Sequence, residues 1–400
     1  MDVPNDSKPE HTLRPHGRVT SIQTPRRFYS LDVLRGIAAL SVVFWHWQHF
    51  FLPFNPGGAE FIASRQPLFG PLRLLYEHGN EAVRLFFCLS GFIFFWLYSQ
   101  RIADRAMSPR SFSVLRWSRL YPLHIFTLVS VALGQIAYSN VTGASFVYTF
   151  NDSYHFVLNL LFISAWGLEK GPSFNAPVWS VSVEVLVYML FFVFCRRFHR
   201  HAIPMVAAAV GGYLVRTWNN DVGNGVMCFF IGGISFLAYD RLVRASNPRN
   251  VRVALLCLTA LAWLVTLGAA GIGSGLALDG APWVLRKLVA GFGVIALFPC
   301  TIVTLALIET DRGTLGRRFS LLGDISYSAY LLHFPLQLSA VLLASAVHQG
   351  SGTFYAPWFM GVFFGLLVAL SIASHQFFEL PCQNHLRRRF SSNKGAGRTA

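Results

Sequence analysis

The stretch Leu31-Asp-Val-Leu-Arg35-Gly-Ile-Ala-Ala-Leu-Ser-Val-Val-Phe-Trp-His46 sets an arginine and a histidine eleven residues apart inside an apolar run. At roughly 100° and about 1.5 Å per helical residue, eleven positions make close to three turns, so both side chains share one helix face about 16 Å apart. An ionisable residue within a membrane span costs about 2.5–3.5 kcal/mol on insertion scales and tends to face a cavity. A cation near one membrane surface and a titratable base near the other therefore read as two parts of one site.

Three further constellations extend it. Arg116 and Arg119, in Ser113-Val-Leu-Arg-Trp-Ser-Arg-Leu-Tyr-Pro122, are spaced i, i+3 and share a helix face. Their guanidinium forks suit phosphate, although anchoring at the membrane surface explains such a pair equally well. Glu184 lies in Pro177-Val-Trp-Ser-Val-Ser-Val-Glu-Val-Leu-Val-Tyr188, where Ser180, Glu184 and Tyr188 form a polar stripe that a lipid-facing helix would not carry. For a hydrocarbon core about 30 Å thick, Glu184 falls roughly 12 Å and His46 roughly 8 Å below the outer edge. His333, in Ile325-Ser-Tyr-Ser-Ala-Tyr-Leu-Leu-His-Phe-Pro335, falls about 12 Å from the inner edge, between the depths of Arg35 and His46. Ser90-Gly91 reads as a point of close helix packing.

The arginines thus mark an inner mouth for an anionic, phosphorylated ligand, with His46 and Glu184 deeper toward the outer leaflet. A histidine can take the proton from a hydroxyl as it attacks an activated carbonyl, and a nearby carboxylate can orient the imidazole and stabilise its cation. This pattern fits acyl transfer from a cytosolic donor to a hydroxyl at the outer face. A proton-coupled transporter is the rival reading, since buried His and Glu also suit a relay; it would be expected to carry matching broken helices in two halves, and the sequence has no such pair. A non-catalytic glycan-export scaffold would not need an arginine, a base and an acid at graded depths.

The elements that must position these residues are membrane spans. The 400-residue chain is 54% hydrophobic and 13% charged, with apolar blocks of about 20 residues, the length that crosses the bilayer core. The expected architecture is all-α and polytopic, with ten spans near 31–51, 82–100, 119–139, 176–195, 203–215, 224–240, 253–272, 288–308, 325–347 and 357–378. The apolar patch Tyr154 to Trp166 is too short to span and is expected at the outer surface or re-entrant. The net charge of +15 is clustered between the blocks, which argues for positive-inside topology and against nucleic acid. With both termini cytoplasmic, the inner segments carry 25 basic residues and the outer ones 7.

Residues 1–29 read as a disordered cytoplasmic tail, 30–381 as one membrane domain and 382–400 as a basic cytoplasmic tail resting on anionic lipid. Arg35 within the first apolar segment is unlike a cleaved secretory signal, so that segment is expected to stay as an anchor. The six cysteines, Cys88, Cys195, Cys228, Cys257, Cys300 and Cys382, show no paired spacing and read as packing residues, with no metal site.

In this order, the segments around Arg35 and His46, Leu85-Phe-Phe-Cys-Leu-Ser-Gly-Phe92, Arg116-x-x-Arg119, Trp179-Ser-Val-Ser-Val-Glu184 and Ile325 to His333 resemble the acyltransferase-3 family of bacterial membrane proteins. That group includes O-antigen, exopolysaccharide and Nod-factor O-acetylases, and the resemblance runs from about Phe28 to Pro381. It implies that His46 is the catalytic histidine, that Arg35, Arg116 and Arg119 belong to the acyl-CoA side, and that Glu184 and His333 fall on typical positions. Glu184 is expected beside His46 in catalysis, and His333 with the arginines along the donor's path. The implied activity is transfer of an acyl group, in the first instance acetyl, from acyl-CoA to a glycan or lipid-linked saccharide in the inner membrane, with no permanently bound cofactor. Arg84 departs from the pattern, standing where relatives often carry an acid or a small polar residue.

Overall fold

The computed structural model describes residues 25, 27–52, 61–244, 248–272 and 291–391. The expected tail 1–29 falls almost wholly outside these residues, as do residues 53–60, 273–290, with the start of the span expected at 288–308, and 392–400. No β-strand occurs among the described residues.

Each expected span overlaps a helix, although the first is α-helical only to Trp45 and continues as a 3-10 turn to Phe50. The overlapping helices are α1 (Tyr29–Trp45), α3 (Gly79–Ala103), α4 (Pro109–Thr142), α6 (Trp179–Phe198), α7 (Ala202–Val215), α8 (Asn220–Val243), α9 (Pro248–Ile272), α10 (Phe298–Arg312), α12 (Ser326–Ala346) and α13 (Pro357–Ala373). Among the described residues these are joined by four short α-helices, α2 (Phe69–Glu77), α5 (Ser153–Leu160), α11 (Ser320–Asp324) and α14 (Leu380–Ser391). Eight of the helical segments are long and apolar enough to cross a membrane; α1, at 17 residues, and α7, at 14, are shorter.

The Tyr154 to Trp166 patch is not a span. Its helix α5 has eight residues, about 12 Å, before the chain turns. It is pinned sideways: His124 Nε2 of α4 donates to the Asn159 carbonyl at 2.8 Å, and Trp166 Nε1 to the Ser182 carbonyl of α6 at 3.0 Å.

Two helices overrun their expected ends on the same side of the molecule. α4 begins ten residues before position 119, where Ser108 caps it by accepting from Ser111 N–H at 3.1 Å and Pro109 occupies the first turn. The final span, expected to stop at 378, passes through a π-helical turn (Ser374–Glu379) and continues as α14 to Ser391. Residues 382–391 are therefore helical and packed on α4.

Close packing holds the remainder. A Cβ at Gly91 would lie 1.9 Å from the Phe229 carbonyl oxygen, and one at Gly232 only 2.0 Å from that of Cys88, so α3 and α8 cross with their backbones touching. Around this crossing Phe95 meets Phe191 edge to face at 5.0 Å. A second apolar cluster surrounds Trp47 and Phe50, where Trp47 Nε1 donates to the Phe354 carbonyl at 3.2 Å. All six cysteines are free thiols, with Cys88, Cys195 and Cys228 buried.

Candidate active site

α1 carries Arg35 and His46, and its start is fixed by an acid from α10. The buried Glu309 carboxylate accepts from Tyr29 N–H at 2.8 Å, Ser30 N–H at 2.9 Å and the Ser30 hydroxyl at 2.6 Å. This satisfies orphan amides and places negative charge at the positive end of the helix dipole. One turn further on, Arg35 donates to the Gly323 carbonyl at 2.7 Å and to Ser326 Oγ at 3.1 Å, with Asp32 at 3.1 Å. α1 gives way to a 3-10 turn at His46, whose carbonyl accepts from Gln337 Nε2 at 2.9 Å.

Arg116 and Arg119 enter from α4. Arg116 donates to the Tyr98 hydroxyl at 2.7 Å and lies 5.0 Å from the ring centres of both Phe94 and Tyr98, while its Nε is buried without a partner among the described residues. Opposite, α6 presents the polar stripe seen in the sequence. Ser90 donates to Glu184 Oε1 at 3.1 Å, as does the Tyr188 hydroxyl, and Ser180 meets the Tyr330 hydroxyl at 2.7 Å.

These groups line a cavity of about 160 Å³ that reaches from Arg35, Arg116 and Arg119 to Ser180, Glu184 and Tyr330. A wider vestibule of about 400 Å³ shares the three arginines and leads away past Arg27 and Arg387. The arginines thus form a neck between two chambers.

Beyond Tyr330 lies a pair of histidines. Pro335 has no N–H, which leaves the Leu331 carbonyl without its helical donor; Asn175 Nδ2 supplies one at 3.0 Å. In this segment His333 is fully buried, with Nδ1 2.6 Å from the Tyr330 carbonyl and Nε2 3.1 Å from His46 Nδ1, and the two rings stack at 5.0 Å. A carbonyl can only accept, so His333 Nδ1 carries the proton. With both rings neutral, His333 Nε2 is then the acceptor and His46 Nδ1 the donor. The lone pair of His46 falls on Nε2, which has no hydrogen-bond partner among the described residues. His49 differs, because its Nδ1 faces Gln337 Oε1 and its Nε2 the Tyr148 hydroxyl, both at 3.3 Å.

The neighbours of two expected site residues are as follows. His333 touches His46 and not the arginines, because it stands seven residues beyond Ser326, about 10 Å further along α12. Glu184 bonds Ser90 and Tyr188 and lies in the chamber beside the neck, while His333 is the ring partner of His46. Tyr330, Gln337, His49 and Tyr148 were not singled out from the sequence. The first two lie on the His333 face of α12 at i−3 and i+4, a spacing that could have found them. Tyr148 comes from a loop and carries no such signal.

The profile of the acyltransferase-3 family, described as an acyltransferase domain, matches residues 28–375. Among curated proteins, the chain is 28% identical to "Protein 2 in picA locus" of Rhizobium radiobacter, over 41% of this chain and 94% of that protein. It is 33% identical to acyltransferase MdmB of Streptomyces mycarofaciens, over 41% of this chain but only 38% of MdmB. Exopolysaccharide production protein ExoZ of Rhizobium meliloti (strain 1021) matches at 25% identity over 80% of this chain and 95% of its own length. No solved structure matches significantly. The matched stretch takes in the arginine neck, the Glu184 stripe and the paired histidines, and the chain belongs to the acyltransferase-3 family.

Proposed function

We propose that the protein transfers an acyl group, in the first instance acetyl, from cytosolic acyl-CoA to a hydroxyl of a glycan or lipid-linked saccharide at the outer face of a bacterial inner membrane. The observation that carries this reading is the order of groups: an arginine neck, a polar chamber lined as far as Tyr330, and next to Tyr330 on α12 the residue His333, bonded to His46. The printed name of ExoZ supports a glycan acceptor, and that of MdmB supports acyl transfer.

In this reading the donor's phosphates stay at Arg116 and Arg119, and Arg35 adds charge at the same level. The pantetheine arm passes Glu184, whose carboxylate, held by Ser90 and Tyr188, can accept from an amide N–H of the arm. At the thioester, His46 Nε2 takes the proton of the acceptor hydroxyl as its oxygen attacks the carbonyl carbon. The tetrahedral intermediate collapses by breaking the C–S bond, and the imidazolium returns the proton to the departing thiolate. His333 receives the His46 Nδ1–H throughout and so holds the ring in the productive tautomer.

The test is His46→Ala in purified protein supplied with acetyl-CoA and a saccharide acceptor. Loss of a general base lowers turnover by about 10²–10⁴-fold, while removal of one imidazole leaves membrane insertion intact. Turnover at the wild-type rate by a correctly assembled variant would remove His46 from the mechanism.

A further inference from the structure

Five arginines line the vestibule, and they are not equivalent. Arg27 is paired with Asp32 and Asp324, each at 2.5 Å, and Arg35 with Asp32 at 3.1 Å. Arg116, Arg119 and Arg387 have no carboxylate partner among the described residues. Arg116 and Arg119 belong to the neck and line both chambers, whereas Arg387 lines the vestibule alone.

Arg387 is carried by α14, beyond the stretch that the family profile matches. Its position is built. Nε reaches Ser118 Oγ of α4 at 3.3 Å, and an Nη donates to Gln383 Oε1, one turn back, at 3.1 Å. Gln383 is buried, and on the same wall His375 Nδ1 is buried with no partner among the described residues. Three guanidinium groups without a carboxylate partner, with a buried unpartnered imidazole on the same wall, call for a ligand with more than one anionic group.

We propose that Arg387, with Gln383 and His375 beside it, forms a second anion subsite that takes a phosphate monoester, the 3′-phosphate on the ribose of coenzyme A, while Arg116 and Arg119 take the diphosphate. This rests on the acyl-CoA reading above. A monoester carries about −1.5 to −2 at neutral pH, and with the two charges of the diphosphate it outweighs three free guanidinium groups. Arginine suits this position because its fork can bind two phosphate oxygens at once.

The experiment compares acetyl-CoA with acetyl-dephospho-CoA, which lacks only the 3′-phosphate, as donors for the full chain in nanodiscs of neutral lipid. Wild-type protein should favour acetyl-CoA by about 10- to 100-fold in kcat/KM, the range of one charge-assisted contact. Arg387→Gln should lose that factor with acetyl-CoA and keep the wild-type constants with acetyl-dephospho-CoA; Arg387→Lys should recover part of the preference. An equal loss with both donors in a variant of unchanged thermal midpoint overturns the subsite. Equal use of both donors by wild type overturns it without any variant. If Arg387 serves an anionic lipid headgroup instead, its replacement changes the response to added phosphatidylglycerol and leaves the donor preference alone, which also overturns the subsite. Failure of wild type to turn over either thioester removes the acyl-CoA reading itself, a result distinct from the others.

Discussion

At the scale of single residues, the arrangement around His46 turns on one hydrogen bond. His333 accepts the His46 Nδ1–H because its own Nδ1 is committed to the Tyr330 carbonyl. His333→Gln keeps an acceptor opposite His46, whereas His333→Leu leaves a buried N–H unpaired at a cost of about 1–3 kcal/mol, or freed to take the wrong tautomer. Turnover should fall by about 10- to 100-fold in His333→Leu and much less in His333→Gln, with the acyl-CoA KM unchanged in both. A rise in donor KM in both variants would return His333 to the donor path that its depth suggested. That depth was legible because rise per residue fixes height along a helix. The partner was not, because the sequence does not say which face of α12 meets α1, and so the carboxylate of Glu184 looked like the natural neighbour of His46.

At the scale of elements, the site depends on how closely α3 meets its neighbours. Ser90, which holds Glu184, sits next to Gly91, whose missing Cβ lets the α8 backbone approach. Gly91→Ala and Gly232→Ala should each lower stability by about 1–3 kcal/mol through overpacking, read as a lower thermal midpoint in detergent. The two positions serve one contact, so the double variant should lose less than the sum; strict additivity would mean that the glycines act independently. The Ser90-Gly91 pair announced this packing in the sequence. Helix ends were harder to read, because hydropathy marks only where a segment is apolar. α4 and the final helix run on into polar sequence, and they do so together, joined by Arg387 and Ser118.

For the whole molecule, the central question is which side feeds which end of the path. All the arginines of the neck and vestibule lie at the end where α4 and α14 project, and in the proposed orientation, with basic residues distributed 25 to 7, that end faces the cytoplasm. His46 lies about 16 Å further along α1, a length matched by an extended pantetheine arm of roughly 15–20 Å if its chain follows backbone-like dimensions. Under the proposed function the thioester reaches the histidine while its charged headgroup stays in water, and no separate carrier has to take the acyl group across the bilayer. Acyl-CoA does not cross membranes, so sealed vesicles of known sidedness decide the matter. Inside-out vesicles given external acetyl-CoA should acylate an enclosed acceptor. Right-side-out vesicles should do so only when acetyl-CoA is sealed inside. Activity with external acetyl-CoA in intact right-side-out vesicles would place the arginine end on the outer face and reverse the direction of the path.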